Sequence, residues 1–246
     1  MFKLDIDVDD GPLTKSGTGL LRRHIPFVLL KTAPTLAQLV KKGELSVMRK
    51  RLDRPTPTTL NSLFVRPATK GKPAQVWFKD SWTTGIPADA YLQQAVFGGV
   101  RPHKRFEKAL IARGIMKSGQ YALPSVSFLN QYGNVSRGLM TKVLSGMGAA
   151  ETSSGFKANA TGSKRSMAKG NRRYFGGVVG DESGVWERMN TKWGAAVRPV
   201  FIFSDSAPVY RTIFPFFKIA ENIVTAHKDR VFADALDFAM STALPR

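Results

Sequence analysis

The C-terminal segment carries a stripe that sets its secondary structure. Phe216, Ala220, Ile223, Val224, His227, Val231, Ala235, Leu236 and Ala239 recur at spacings of three, four and seven. A repeat of 3.6 residues gathers them on one side of a long helix. Lys218, Glu221, Lys228 and Asp237 fall on the other side. A helix with one apolar face needs another surface to bury it against. A second stripe, Ile25, Val28, Leu29, Leu36, Leu39 and Val40, begins near the other end of the chain, after Leu20. Pro26 suits a first turn, whereas Pro34 lies inside the pattern and is expected to kink or divide the helix. Lys41, Lys42, Arg49, Lys50 and Arg51 crowd its end.

Between the stripes the pattern turns to strands and short helices. Pro55 and Pro57 stop the first helix, and Leu60–Val65 and Ala74–Lys79 form a hairpin around Lys70-Gly71-Lys72-Pro73. Phe106, Leu110 and Ile111 line a helix that ends at Gly114, and Asn134 to Met147 is a second, shorter one. Tyr174–Gly180, Gly184–Arg188 and Pro199–Phe203 are separated by turn residues and suggest an antiparallel meander. The opening residues to Gly19 read as an arm or a first strand. The expected fold class is α+β: an antiparallel sheet (hairpin plus meander) packed against long N- and C-terminal helices, with an irregular, partly helical insertion. Residues 1–84 supply the first helix and hairpin of a core domain. Residues 85–173 form the insertion, and 174–246 complete the core with the meander and last helix.

Charge narrows the functional classes. The 246 residues carry a formal net charge of +19, which calls for a polyanion or an acidic surface nearby. Hydrophobic residues make up 43% of the chain, enough for a true core. The absence of cysteine excludes disulfides, thiolate metal sites and cysteine nucleophiles. The acidic opening MFKLDIDVDDG has no basic stretch followed by an apolar one, so no secretory signal is expected. No apolar run reaches the roughly 18 residues needed to span a bilayer, so no membrane insertion is expected.

Catalytic signals are weak. Asp5, Asp7 and Asp9 alternate with Leu4, Ile6 and Val8, which describes a half-exposed strand. A calcium loop would need glycine and an acid where Asp10 and Ser16 stand. Ala160-Thr-Gly-Ser-Lys164 lacks the residue order of a phosphate loop. His24, His103 and His227 have no metal-ligand spacing, and His227 belongs to the buried stripe. Glu107, Asp181, Glu182 and Glu187 are scattered and define no acid pair. The expectation is a non-enzymatic protein without catalytic residues, cofactor or metal.

The best candidate is the polar stretch Glu151 to Arg173, read as a mobile or partner-ordered loop. Lys157, Lys164, Arg165, Lys169, Arg172 and Arg173 lie in it, with no acid from 157 to 173. Such clusters bind phosphates by releasing counterions, without reading sequence. Acidic proteins fit the same charge. Among four tryptophans near strand edges, Trp77, Trp82 and Trp186 are candidate interface anchors.

The C-terminal third resembles the minor tail protein Z family of lambda-like tailed phages and related neck proteins. The features run in order: Gly184 to Arg188, the PVFIFS strand Pro199 to Ser204, then YRTIFPFFKIAENIV and a helix ending FADALDFAM. The first helix followed by Arg54-Pro-Thr-Pro-Thr-Thr-Leu-Asn61 is similar to the same group, as is Tyr91 to Leu110. The resemblance covers about two thirds of the chain, by patterns rather than a signature, and Gly114 to Arg173 departs from it. It implies tail completion or head-tail joining through protein contacts, and a homo-oligomeric ring around the DNA channel. It also implies other neck and tail proteins as partners, contact with genomic DNA, and a place in the virion after assembly in the host cytoplasm. A free-standing, sequence-independent DNA-binding protein is the alternative, and a packaged hydrolase is a third reading.

Overall fold

The computed structural model describes residues 2–7, 19–81, 85–150 and 158–243. Its elements in chain order are β1 (Lys3–Ile6), α1 (Gly19–Arg51), α2 (Pro57–Leu60), β2 (Leu63–Arg66), β3 (Ala74–Phe78), α3 (Ala88–Phe97), β4 (Gly99–Val100), α4 (Arg105–Ala112), β5 (Tyr121–Pro124), α5 (Arg137–Gly146), α6 (Lys164–Ala168), β6 (Tyr174–Val179), β7 (Glu182–Thr191), β8 (Gly194–Ser204), β9 (Val209–Tyr210) and α7 (Phe216–Ala243). The fold is α+β, with antiparallel sheets and a long helix near each end. The chain forms two compact units. A terminal unit joins Met1–Gly98 to Arg211–Arg246, and a central unit comprises Gly99–Tyr210.

In the terminal unit α1 and α7 bury their stripes against each other. Val28 packs with Ala235 and Ala239, and the Phe27 ring stacks on Phe238 at 6.2 Å. Further along, a Cβ on Gly43 would overlap Ile223. The start of α1 therefore meets the end of α7, and the pair is antiparallel. The unit's sheet has the order β1-β3-β2. Ala74, Val76 and Phe78 of the central strand are fully buried, while Gln75 and Trp77 alternate with them at half burial. Phe2, Phe78 and Phe216 meet with ring centroids 5.2–5.5 Å apart. Each such ring contributes roughly 1.5–3 kcal/mol by leaving water.

Pro34 does not divide α1, which runs from Gly19 to Arg51 with both prolines inside. Proline removes one helix hydrogen bond. The Thr32 and Thr35 hydroxyls donate to the carbonyls of Val28 and Lys31 at 2.8 Å, and packing along α7 holds the segment.

The central unit has its own sheet, in the order β5-β8-β7-β6. Phe106, Leu110, Val143, Val185, Val200 and Phe201 form its core beneath α4 and α5. Its composition corrects the boundaries expected at 84/85 and 173/174. The meander belongs with the insertion, because β5 from the inserted segment pairs with β8 along Tyr121–Pro124.

The stretch expected as a loop is folded over residues 158–173; the rest, 151–157, lies outside the described residues. Polar side chains supply the order that large apolar ones do not. Asn159 accepts from the Ala150 N–H at 2.8 Å and donates to the Gly148 carbonyl at 3.1 Å. Ser145 donates to the Ala158 carbonyl at 2.7 Å, and the Ser163 hydroxyl caps α6 by accepting from Ser166 N–H. Gly146 lets α5 approach this segment so closely that a Cβ would overlap the Asn171 carbonyl oxygen. Gly146→Ala is expected to destabilise the central unit by about 1–3 kcal/mol through that overlap. Urea unfolding followed by circular dichroism measures it, and an unchanged midpoint would refute the close approach.

Candidate functional site

The charged candidates lie on the surface of the central unit. Lys164 and Arg165 stand on α6, Lys169 follows it, and Arg172 and Arg173 occupy a 3-10 turn, Asn171–Arg173, that leads into β6. All five are exposed, while Lys157 lies outside the described residues. The Gly99–Tyr210 sequence holds 17 Lys and Arg against six Asp and Glu.

The strand register arranges the neighbouring cations. Tyr174 pairs with Glu187, which pairs with Arg198. The Glu187 side chain is only 6% exposed and receives Nε of Arg173 at 2.8 Å and Nε of Arg198 at 2.7 Å. Two guanidinium groups on one carboxylate leave a positive charge uncompensated. Arg173 also donates to the Tyr174 hydroxyl at 3.1 Å. Arg198 sits 4.6 Å above the Phe128 ring and Arg188 lies 4.1 Å above Phe175, which holds their planes in place. Arg188 further donates to the Arg172 carbonyl at 3.3 Å.

Two open grooves adjoin this row. One, about 450 Å³, is lined by Phe128, Ser136, Lys142, Arg173 and Tyr174 among others. The second, about 600 Å³, includes Ile115, Met147, Arg172, Phe175 and Arg188. Neither lining contains an acid. The arrangement suits an extended anion rather than a small enclosed ligand.

Of the six cations read from sequence, the structure thus engages Arg173 in an internal ion pair. It leaves Lys164, Arg165, Lys169 and Arg172 presented to solvent. Arg188, Arg198 and Lys142 escaped the sequence reading because they lie outside the polar stretch and join it only through strand pairing.

The tryptophans sort differently from their sequence reading. Trp186 is 5% exposed and donates its indole N–H to the Gly177 carbonyl at 3.0 Å, so it is a core residue and not an interface anchor. Trp77 is half-buried on β3, with Phe64 at 6.0 Å and Arg66 at 5.4 Å from its ring. Trp82 lies outside the described residues. Trp193, left out of the sequence candidates, is 97% exposed at the β7–β8 turn. Its signal was the Lys192-Trp193-Gly194 step between two strand-like runs.

Arg101 and Glu107 form a buried pair, and His103 stacks on Tyr121 while its Nε2 meets the Gln120 carbonyl at 2.9 Å. Among the described residues no group of three His, Cys, Asp or Glu could hold a metal ion, and no helix is long and apolar enough to cross a membrane. Comparison of the chain with protein families, curated proteins and solved structures finds no match.

Proposed function

We propose that the chain is a structural protein of a tailed-phage particle, acting in the neck or tail to complete the tail or join it to the head. The observation that carries this reading is the exposed cationic surface of the central unit, with Lys164, Arg165, Lys169 and Arg172 exposed and open grooves lined by Lys142, Arg172, Arg173 and Arg188. Such a surface meets an acidic ring or packaged DNA by exchanging condensed counterions for lysine and arginine. The resemblance of the C-terminal third, from Gly184 to Met240, to the minor tail protein Z family supplies the setting. In that setting copies of the chain form a ring, which uses head-to-tail contacts between different surfaces of each copy. The other neck and tail proteins are its partners.

Electron microscopy of particles assembled without the protein tests the reading. Filled heads and separate or unstable tails are the expected result. Fully joined, infectious particles would overturn it. Free-standing DNA binding is the second reading, favoured by the same cations. It places the protein outside purified particles.

A further inference from the structure

We propose that the outer part of the β7–β8 hairpin, Arg188 to Arg198, is an arm that lies against duplex DNA and makes its key contact through Trp193. The biological setting rests on the DNA-channel reading above, but the contact itself stands on the geometry of this hairpin.

The arm outgrows its sheet. β6 pairs with β7 only from Glu182 to Glu187, and β5 pairs with β8 only from Phe201 to Ser204. Beyond those limits Arg188–Thr191 and Gly194–Val197 pair only with each other. Met189, Ala196 and Pro199 are half-buried, and every other residue from 188 to 198 is exposed. A two-stranded ribbon without a covered face gains little stability in water, so its length calls for another explanation.

The tip is nonetheless ordered. Lys192 and Trp193 form a two-residue loop between the paired Thr191 and Gly194. The Thr191 hydroxyl donates to the Gly194 carbonyl at 2.8 Å and accepts from the Trp193 N–H at 3.2 Å. Gly194 takes a φ of 111°, a conformation that side chains resist. The base is fixed by Arg188 over Phe175 and by Arg198 between Phe128 and Glu187. The hairpin therefore holds out an indole that touches almost nothing of its own chain.

Charge and shape select the occupant. The segment Arg188–Arg198 contains three cations and no acid, and Gly194, Ala195 and Ala196 keep one strand slim. A two-stranded ribbon of this kind fits the major groove of duplex DNA, about 12 Å wide. Lys192 then faces phosphates, and Trp193 lays its indole against the base edges and thymine methyl groups that the groove exposes. A hairpin-to-hairpin contact with a second copy is disfavoured, because each arm would bring three cations and no acid to it. A bilayer is disfavoured because the tip offers it a single indole, with no other exposed large apolar side chain between Arg188 and Val197.

The test uses the full chain and a fluorescent duplex of about two helical turns, with anisotropy read near 50 and near 200 mM salt. Trp193→Ala is expected to weaken binding by roughly 10- to 100-fold, the effect of losing one large apolar side chain buried in the groove. Trp193→Phe is expected to restore most of the affinity. Lys192→Gln is expected to lower the slope of log affinity against log salt by about one. Circular dichroism should be the same for all variants. Equal affinity of wild type and Trp193→Ala would overturn the proposal. So would Trp193-dependent capture by phosphatidylserine vesicles, or by polyglutamate, at affinity matching the duplex. Probing purified particles with antibody separates the two claims. A chain missing from particles defeats the virion reading alone, and an indifferent Trp193→Ala defeats the arm alone.

Discussion

Replacing Glu44 with glutamine is expected to stabilise the terminal unit by roughly 4 kcal/mol near pH 8 and by very little near pH 4.5. Glu44 lies on the inward side of α1, four residues from Val40 and four from Met48, and all three are 0% exposed. Neither carboxyl oxygen has a hydrogen-bond partner among the described residues. Burial alone pushes the group from 4.5 up to about 9. The folded chain keeps this proton between those values while the unfolded chain releases it. The unfolded state then binds fewer protons, so stability falls as pH rises, by about 1.4 kcal/mol per unit. Glutamine has the same shape and no ionisation to lose, so its advantage over glutamate grows across that range. Glu44→Met removes the unpaired oxygens as well and is expected to add about 1–3 kcal/mol more at every pH. Urea unfolding of wild type and both variants near pH 5 and near pH 8 measures the effect. A Glu44→Gln advantage of the same size at both values would show that the carboxyl finds a partner on folding.

Glu44 also marks where the sequence stopped being legible. The stripe from Ile25 to Val40 was readable because each member is apolar. Its continuation steps onto a glutamate, and a charged residue among Lys41, Lys42, Arg49 and Lys50 reads as solvent-facing. The hairpin was readable for local reasons, since Gly71 with a φ of 75° closes the turn that joins β2 to β3. The strand β5 was not. Tyr121–Pro124 is short, ends in proline, and is a strand only because β8 lies beside it. That single long-range pairing moves the meander from the terminal unit into the central one. The β6–β7 and β7–β8 registers in turn gather Arg173, Glu187 and Arg198, which are separated in sequence, into one row. The basic stretch is legible in the sequence as a run of cations without an acid. Its fold was hidden because serine and asparagine hydrogen bonds leave no hydrophobic period to read.

Glu107→Ala is expected to destabilise the central unit by about 3–5 kcal/mol, the effect of stranding a buried charge. The Glu107 carboxylate receives both Nη groups of Arg101, at 2.6 and 2.7 Å, and the N–H groups of Lys104 at 2.6 Å and Ala122 at 3.0 Å. It thereby starts α4, ties that helix to β5, and neutralises an arginine whose side chain is 8% exposed. Burial works to raise this carboxyl, but the hydrogen bonds from Arg101, Lys104 and Ala122, with the arginine charge, outweigh it and hold the group below its usual range. A depressed carboxyl contributes stability above the unfolded value and loses it as pH falls through the folded one. Glu44 and Glu107 therefore pull in opposite directions. Mild acid relieves the terminal unit of its Glu44 penalty, and stronger acid removes the Glu107 contribution from the central unit. Hydrogen exchange on the whole chain, read separately for α1 and α4, should show protection of α1 rising from pH 8 toward pH 5. Protection of α4 should fall only in stronger acid, and in Glu107→Ala it should already be low at neutral pH. The double variant Arg101→Met with Glu107→Leu is expected to recover much of the loss, because an apolar pair strands no charge. If the double variant is as unstable as Glu107→Ala, the carboxylate's bonds to the Lys104 and Ala122 backbone, and not the ion pair, hold α4 to the sheet.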